Sequence, residues 1–285
     1  MLNSGVPSVA LALLVFNRPR LTQRVVDEAV VHHSGPVYLI ADGPRQDHQE
    51  DEALCEEVRE IATNADWKGP VHEIFSNTNL GLKRRVSTGL DQVFDNEEHA
   101  MVLEDDCLPD PSFFTFAEEL LERYQADTQV GMISGNNFLW GSRVSEDSYF
   151  FSPDVRIWGW ATWARVWRDF SEEGLDYPLS REEIMALLNM LPSSSRRQAM
   201  HKTAEVIDSL DSWAFPFVLH CLRRGYLNAV PQKNLVTNIG FGGAATHTGF
   251  ESFTAHVPSQ PLSFPLRHPK GVAVPARLGA QEDRA

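Results

Sequence analysis

The chain has 285 residues, 42% of them hydrophobic and 22% charged, with a formal net charge of −14. This is ordinary globular material, enough for one large domain or two small ones, and its acidic balance excludes general nucleic-acid or anionic-membrane binding, which needs a basic face. The three cysteines, Cys55, Cys107 and Cys221, are far apart and form no CxxC pair, which argues against a disulfide framework or zinc knuckle and for a reducing compartment.

Val9 to Phe16 is a continuous apolar run of strand length, suited to a strand covered on both faces. It is too short to span a bilayer, no basic segment precedes it, and Asn17-Arg18-Pro19 break it. The expectation is a soluble, cytoplasmic protein without a transmembrane segment, with peripheral membrane contact left open. Leu21 to Val31 carries apolar residues at helical spacing, and Val37 to Ala41 reads as a second strand ended by Asp42-Gly43-Pro44. A polar helix over Gln46 to Asn64, a strand over Val71 to Phe75, a helix over Leu82 to Phe94 and a strand over Met101 to Leu103 follow. Strand and helix thus alternate over the first ~110 residues, as in successive βα units of a parallel sheet.

Phe113 to Tyr124 reads as a helix, Val130 to Ser134 as a strand, and Tyr149 to Phe151 as another short strand. Trp160 to Phe170 and Glu182 to Leu191 are helical candidates, and Ser193 to Arg197 reads as a mobile break. A helix over Trp213 to Arg224 finds a cap in Asp211 or Ser212. Tyr226 to Val236 reads as a strand that Pro231 places at an edge. After Gly249 periodicity is lost. The expected organisation is one α/β domain over residues 1–250 and a tail over 251–285 that wraps it or is partly disordered.

Ligands of parallel α/β sheets bind beyond the carboxyl ends of the strands. Asn17-Arg18, Asp42-Gly43, Asn77-Thr78-Asn79 and Glu104-Asp105-Asp106 all fall at that rim. The last is the most informative, because three adjacent carboxylates repel one another and call for a compensating cation. A hard divalent ion, manganese or magnesium, takes such oxygen ligands and also binds a diphosphate. Asp106 is the direct ligand in this reading, Glu104 a second, and Asp105 reaches the metal through water or touches a ribose. An acidic solvated turn is the plain alternative.

Other residues extend the site. Arg18 can pair with a phosphate bidentately. Lys83, Arg84 and Arg85 open a helix and could neutralise a diphosphate, with Lys83 the candidate taken from the trio. Trp158, Trp160, Trp163 and Trp167 are explained mainly by core packing, and Trp160 is the one expected to form a flat wall against a sugar ring. His247, in the Gly-rich segment Gly240 to Gly249, is a candidate metal or phosphate ligand.

Read together, the motifs resemble a nucleotide-sugar glycosyltransferase of the GT-A fold, a mainly parallel central sheet with helices on both faces. In detail they are similar to the inverting N-acetylglucosaminyltransferase I family and to bacterial family 2-like relatives. The resemblance covers roughly residues 8 to 250. It is carried in order by Leu14 to Pro19, Ile40 to Gly43, Asn79 to Leu82, Val102 to Asp106, Pro111 to Phe114, Trp158 to Trp163, Asp211 to Trp213, Asn238 to Gly242 and Thr246 to Thr248. It implies that Asp106 holds a metal bridging the donor phosphates, Arg18 touches the nucleotide, Asp42 reads uracil, Trp160 faces sugar and Asp211 is the catalytic base. Ser212 departs from the pattern, standing where relatives can carry a second acid. The implied activity is metal-dependent transfer of a sugar, with inversion, from a nucleoside diphosphate donor such as a UDP-sugar. The acceptor is a hydroxyl of a glycan, a lipid-linked sugar or a protein. A sugar-nucleotide nucleotidyltransferase shares the acidic metal site but wants a Gly-rich phosphate loop after the first strand, where this chain has Asn17-Arg18-Pro19-Arg20. A non-catalytic carbohydrate-binding protein of the same fold is the third reading.

Overall fold

In the computed structural model, residues 8–173, 179–241 and 257–284 are described. The βα alternation is present as read. Strand β1 (Ala10–Val15), helix α1 (Pro19–His32), β2 (Val37–Ala41), α2 (Asp51–Thr63), β3 (Val71–Phe75), α3 (Leu82–Asn96) and β4 (His99–Glu104) follow in order. β1, β2 and β4 are apolar almost throughout because both of their faces are covered. The chain continues through β5 (Cys107–Pro109), α4 (Ser112–Arg123), β6 (Val130–Ser134), β7 (Tyr149–Ser152), β8 (Trp160–Trp163), α5 (Ala164–Glu173), α6 (Arg181–Leu188), α7 (Ser194–Glu205), α8 (Ala214–Arg224), β9 (Leu227–Pro231), β10 (Val236–Asn238) and α9 (Leu278–Glu282).

The architecture is α/β, with one eight-stranded sheet in the order β3-β2-β1-β4-β8-β6-β9-β7. The first four of these strands are mutually parallel, so the loops after β1, β2, β3 and β4 all emerge at one edge. β8 reverses direction between β4 and β6, and β7 runs antiparallel to β9. Helices cover both faces. Trp163 of β8 donates its indole N–H to Leu121 O of α4 on one side, whereas Trp160 packs against Phe217 of α8 on the other. A separate two-stranded ribbon, β5 with β10, folds over the end of β4. Among the described residues no helix is long and apolar enough to cross a membrane.

Four local expectations are corrected. Trp160 to Phe170 is not a helix from its start, since Trp160–Trp163 is a strand and the helix begins at Ala164. Ser193 to Arg197 is not a break but the start of α7, with Ser193 Oγ accepting from Arg196 N at 3.0 Å as its N-cap. β9 is not an edge strand; it lies between β6 and β7, and Pro231 is tolerated because it is the strand's last residue. Neither Asp211 nor Ser212 caps α8, whose N-cap is Trp213 without a side-chain bond.

Residues 257–284 are tied to the segments beside β7 and between β9 and β10. Gln260 N donates to Asn234 O, and Ser148 N donates to Arg267 O, both at 2.8 Å. Asp283 accepts N–H bonds from Ser194 (3.1 Å) and Ser195 (3.0 Å), sealing the N-terminus of α7. Next to it Glu282 pairs with the buried Arg156, which also bonds Asp154 at 3.3 Å. Burial pushes the Glu282 carboxyl up to about 7, Arg156 opposing the rise and Asp154 adding to it. The folded chain therefore holds a proton there that the unfolded chain releases near 4.5, so this contribution to stability is full below pH 4.5 and is lost as pH rises through about 7. Glu282→Gln cannot titrate. It should gain on the wild type in melting temperature as pH rises across that window, and parallel pH profiles would show Glu282 to be ionised in the fold.

Candidate functional site

The four rim clusters converge on one cleft of about 370 Å³. Its floor starts at the end of β1. Arg18 caps α1, its carbonyl accepting from Thr22 N at 3.0 Å, and Pro19 follows at the first helical position, where its missing N–H costs nothing. That turn aims the Arg18 side chain across β1 at the acids after β4. Nη1 donates to Asp106 Oδ2 at 2.8 Å, Nε donates to Asp105 Oδ2 at 3.2 Å, and Nη2 pairs with Asp105 Oδ1. Burial works against the charge on Arg18, and the two aspartates outweigh it, raising its pKa.

One guanidinium does not offset three carboxylates. Burial, then Asp106 and Asp105, push Glu104 up to about 8. Asp105 is pushed up to about 6 by burial despite Arg18. Asp106 is placed by the β5–β10 ribbon: Ile239 N donates to its backbone carbonyl at 2.8 Å, and Asn238 Nδ2 to its Oδ1 at 3.3 Å. Gly240 sits so close that a Cβ there would lie 2.3 Å from Asp106 Oδ2. Only glycine leaves that carboxylate room.

These residues fit a hard divalent cation of the kind that takes one or two protein carboxylates and completes its shell with phosphate and water. The donors are all oxygen, and Gly240 keeps space beside Asp106. They do not make a closed protein cage, since among the described residues no group of three or more His, Cys, Asp or Glu converges on one point. His247 lies outside the described residues.

Asp42, after β2, is nearly buried and lines the same cleft. Its carboxylate accepts backbone N–H bonds from Gly43 (2.9 Å), Leu80 (2.9 Å) and Gly81 (3.1 Å), so it ties the β2 tip to the loop before α3. Burial raises its pKa, while those N–H bonds and Arg85 pull the other way. Asp211 stands at the cleft mouth, exposed, and accepts from Leu82 N at 2.7 Å and Lys83 N at 3.1 Å. It is a helix cap, but of α3, more than a hundred residues earlier in the chain. Gly81, at φ 82°, permits this approach, for a Cβ there would come within 2.6 Å of Asp211 Oδ2.

Two site residues differ from expectation. Trp160 is fully buried, stacked on Trp213 at 5.6 Å, and does not line the cleft. Because Trp160–Trp163 is an interior strand, that ring points into the layer under α8. Trp158 lines the cleft instead, its ring edge-on to Phe138 at 5.0 Å and Phe241 at 5.6 Å. Lys83 does not line the cleft either, whereas Arg85 does. Helical periodicity does not mark this difference, because Lys83 precedes the buried Val86, Ser87 and Leu90 by three, four and seven residues. Nor does any periodic signal separate Trp158 from Trp160.

No protein-family model matches this sequence, and no curated protein matches it. Solved structures similar to it include a mannosyltransferase from Pyrobaculum calidifontis in complex with GDP-Man and Mn2+, at 13% identity over 76% of this chain and 69% of that chain, TM-score 0.42. Others are apo UDP-glucose pyrophosphorylase, at 11% identity over 81% of this chain and 93% of that chain, TM-score 0.42, and a UTP-bound UGPase from Acinetobacter baumannii, at 11% identity over 81% and 88%, TM-score 0.37.

The Asp42 carboxylate serves three backbone N–H groups, and an amide oxygen cannot serve them all. Asp42→Asn should cost the ligand-free protein about 1–3 kcal/mol in a denaturant titration. Unchanged stability would leave the carboxylate to a ligand alone.

Proposed function

We propose that the protein is a metal-dependent glycosyltransferase that moves a sugar, with inversion, from a nucleoside diphosphate donor to an acceptor hydroxyl. A UDP-sugar is the donor that the motif resemblance favours. The observation that carries this reading is the placement of two kinds of acid in one cleft: the half-buried Glu104 with the buried Asp105 and Asp106 at the tip of β4, and a separate, exposed carboxylate, Asp211, at its mouth.

Transfer with inversion needs one carboxylate to take the acceptor proton on the face away from the leaving group. In this reading Asp211 takes that task, which its exposure at the mouth and its two N–H bonds support. As it removes the proton, the acceptor oxygen bonds to the anomeric carbon and the bond from that carbon to the diphosphate oxygen breaks. Asp106, with Glu104 beside it, would hold manganese or magnesium, which when bound offsets the negative charge developing on the departing diphosphate. Arg18 holds Asp105 and Asp106 in place and adds positive charge at that end. Trp158 offers the flat apolar face that a sugar ring packs against. The turn after β1 favours sugar transfer over nucleotidyl transfer, because α1 starts at Pro19 directly after Arg18 with no glycine loop to wrap a triphosphate.

Incubation with manganese and a panel of UDP-sugars separates the readings. Release of UDP supports sugar transfer, release of pyrophosphate from UTP and a sugar phosphate supports nucleotidyl transfer, and sugar binding without turnover supports a binding protein. Asp106→Ala should abolish manganese-dependent binding of UDP in calorimetry, and unchanged affinity would remove Asp106 from the donor site. Asp211→Asn should leave UDP binding intact and cut turnover about 100-fold or more. Near-normal turnover would move the base elsewhere.

A further inference from the structure

Arg85 has donors that the fold leaves unmet. It lies in the first turns of α3, is only 7% exposed and lines the cleft. Its Nε and Nη2 are buried without a hydrogen-bond partner. Asp42 acts on it through charge, but the Asp42 oxygens are occupied by the backbone N–H groups of Gly43, Leu80 and Gly81.

The other arginines of the cleft contrast with it. Arg18 is bonded to Asp105 and Asp106, and Arg45 to Asp51 at 2.6 and 3.0 Å. An unsatisfied buried donor is costly, and more so when charged. Such a cost is borne where a ligand supplies the acceptor. Position narrows the ligand. Arg85 packs beside Asp42 at the tip of β2, while the acids follow β4, two strands away across β1. At the usual strand spacing that is roughly 10 Å. A ligand with its diphosphate at the acids therefore brings its nucleoside towards Arg85.

We propose that Arg85 binds the donor nucleotide, its guanidinium donating to acceptor oxygens at the end of the cleft away from Glu104 to Asp106. This rests on the reading of the cleft as a nucleotide-sugar site. It makes Arg85, and not Lys83, the cation of α3 that recognises the ligand.

The test measures UDP, GDP, CDP and ADP binding by calorimetry in manganese buffer, on the full chain and on Arg85→Met and Arg85→Lys, with melting temperatures of the ligand-free proteins. For the nucleotide that the wild type binds best, Kd should rise about tenfold or more in Arg85→Met and recover in part in Arg85→Lys. The melting temperature of ligand-free Arg85→Met should hold or rise, because a buried charge without bonds is gone. Equal affinity in wild type and Arg85→Met would overturn the proposal. So would a melting temperature that falls in Arg85→Met and recovers in Arg85→Lys with affinity unchanged, which would make the residue structural. Should Arg85→Met fail to fold, wild-type affinity in Arg85→Lys would overturn it alone, and weakened binding by a folded Arg85→Lys would sustain it. A wild type that binds none of the four nucleotides fails earlier, at the reading of the cleft itself.

Discussion

Like charges at the end of a buried strand set the terms for this cleft. β4 is apolar on both faces and delivers Glu104, Asp105 and Asp106 at its tip, where little water remains to screen them. Arg18 reaches across from the neighbouring strand and engages two of the three. The remaining excess shows in Glu104, pushed up to about 8 by burial and by the other two acids. The surrounding parts accommodate that excess. Asn238 turns an amide towards Asp106, and Gly240 gives up its side chain so that Asp106 has space. Ion-pair energetics explain why such an arrangement is poor as mere scaffolding: burying charge costs more than a lone partner returns.

The sheet divides the labour. Its parallel half, β3-β2-β1-β4, sends four loops to one edge, as expected of covered strands joined by helices. Beyond β4 the direction reverses at β8, and that half contributes packing and closure. Trp160, Trp167, Trp213 and Phe217 fill the layer between sheet and helices. The β5–β10 ribbon brings Asn238 and Gly240 over the acids, and Trp158 with Phe241 forms one wall.

The first half of the chain was legible because each signal was local. β2, β3 and β6 match their expected spans residue for residue, each followed directly by a polar residue or glycine, Asp42, Ser76 and Gly135. Legibility fell where a residue serves a distant partner. Asp211 looks like the cap of the helix that follows it and in fact caps α3. Ser193 to Ser195 look mobile in isolation and are fixed by Asp283 from the tail. The tryptophans defeated periodicity because a short strand runs directly into α5, so no single period spans the segment. Within the site, the rim clusters were found from strand ends alone. Separating Arg85 from Lys83 required the direction of a helix face, and Trp158 from Trp160 the course of a strand.

The bond between Asp211 and the start of α3 joins parts that otherwise belong to different stretches of chain. The Asp211 carboxylate at the cleft mouth is moored to Leu82 and Lys83, one turn from Arg85 and directly beyond the Gly81 N–H that holds Asp42. That one turn joins the inner end of the cleft to its mouth, so a change in its geometry at Asp42 is felt at Asp211 without movement of the sheet.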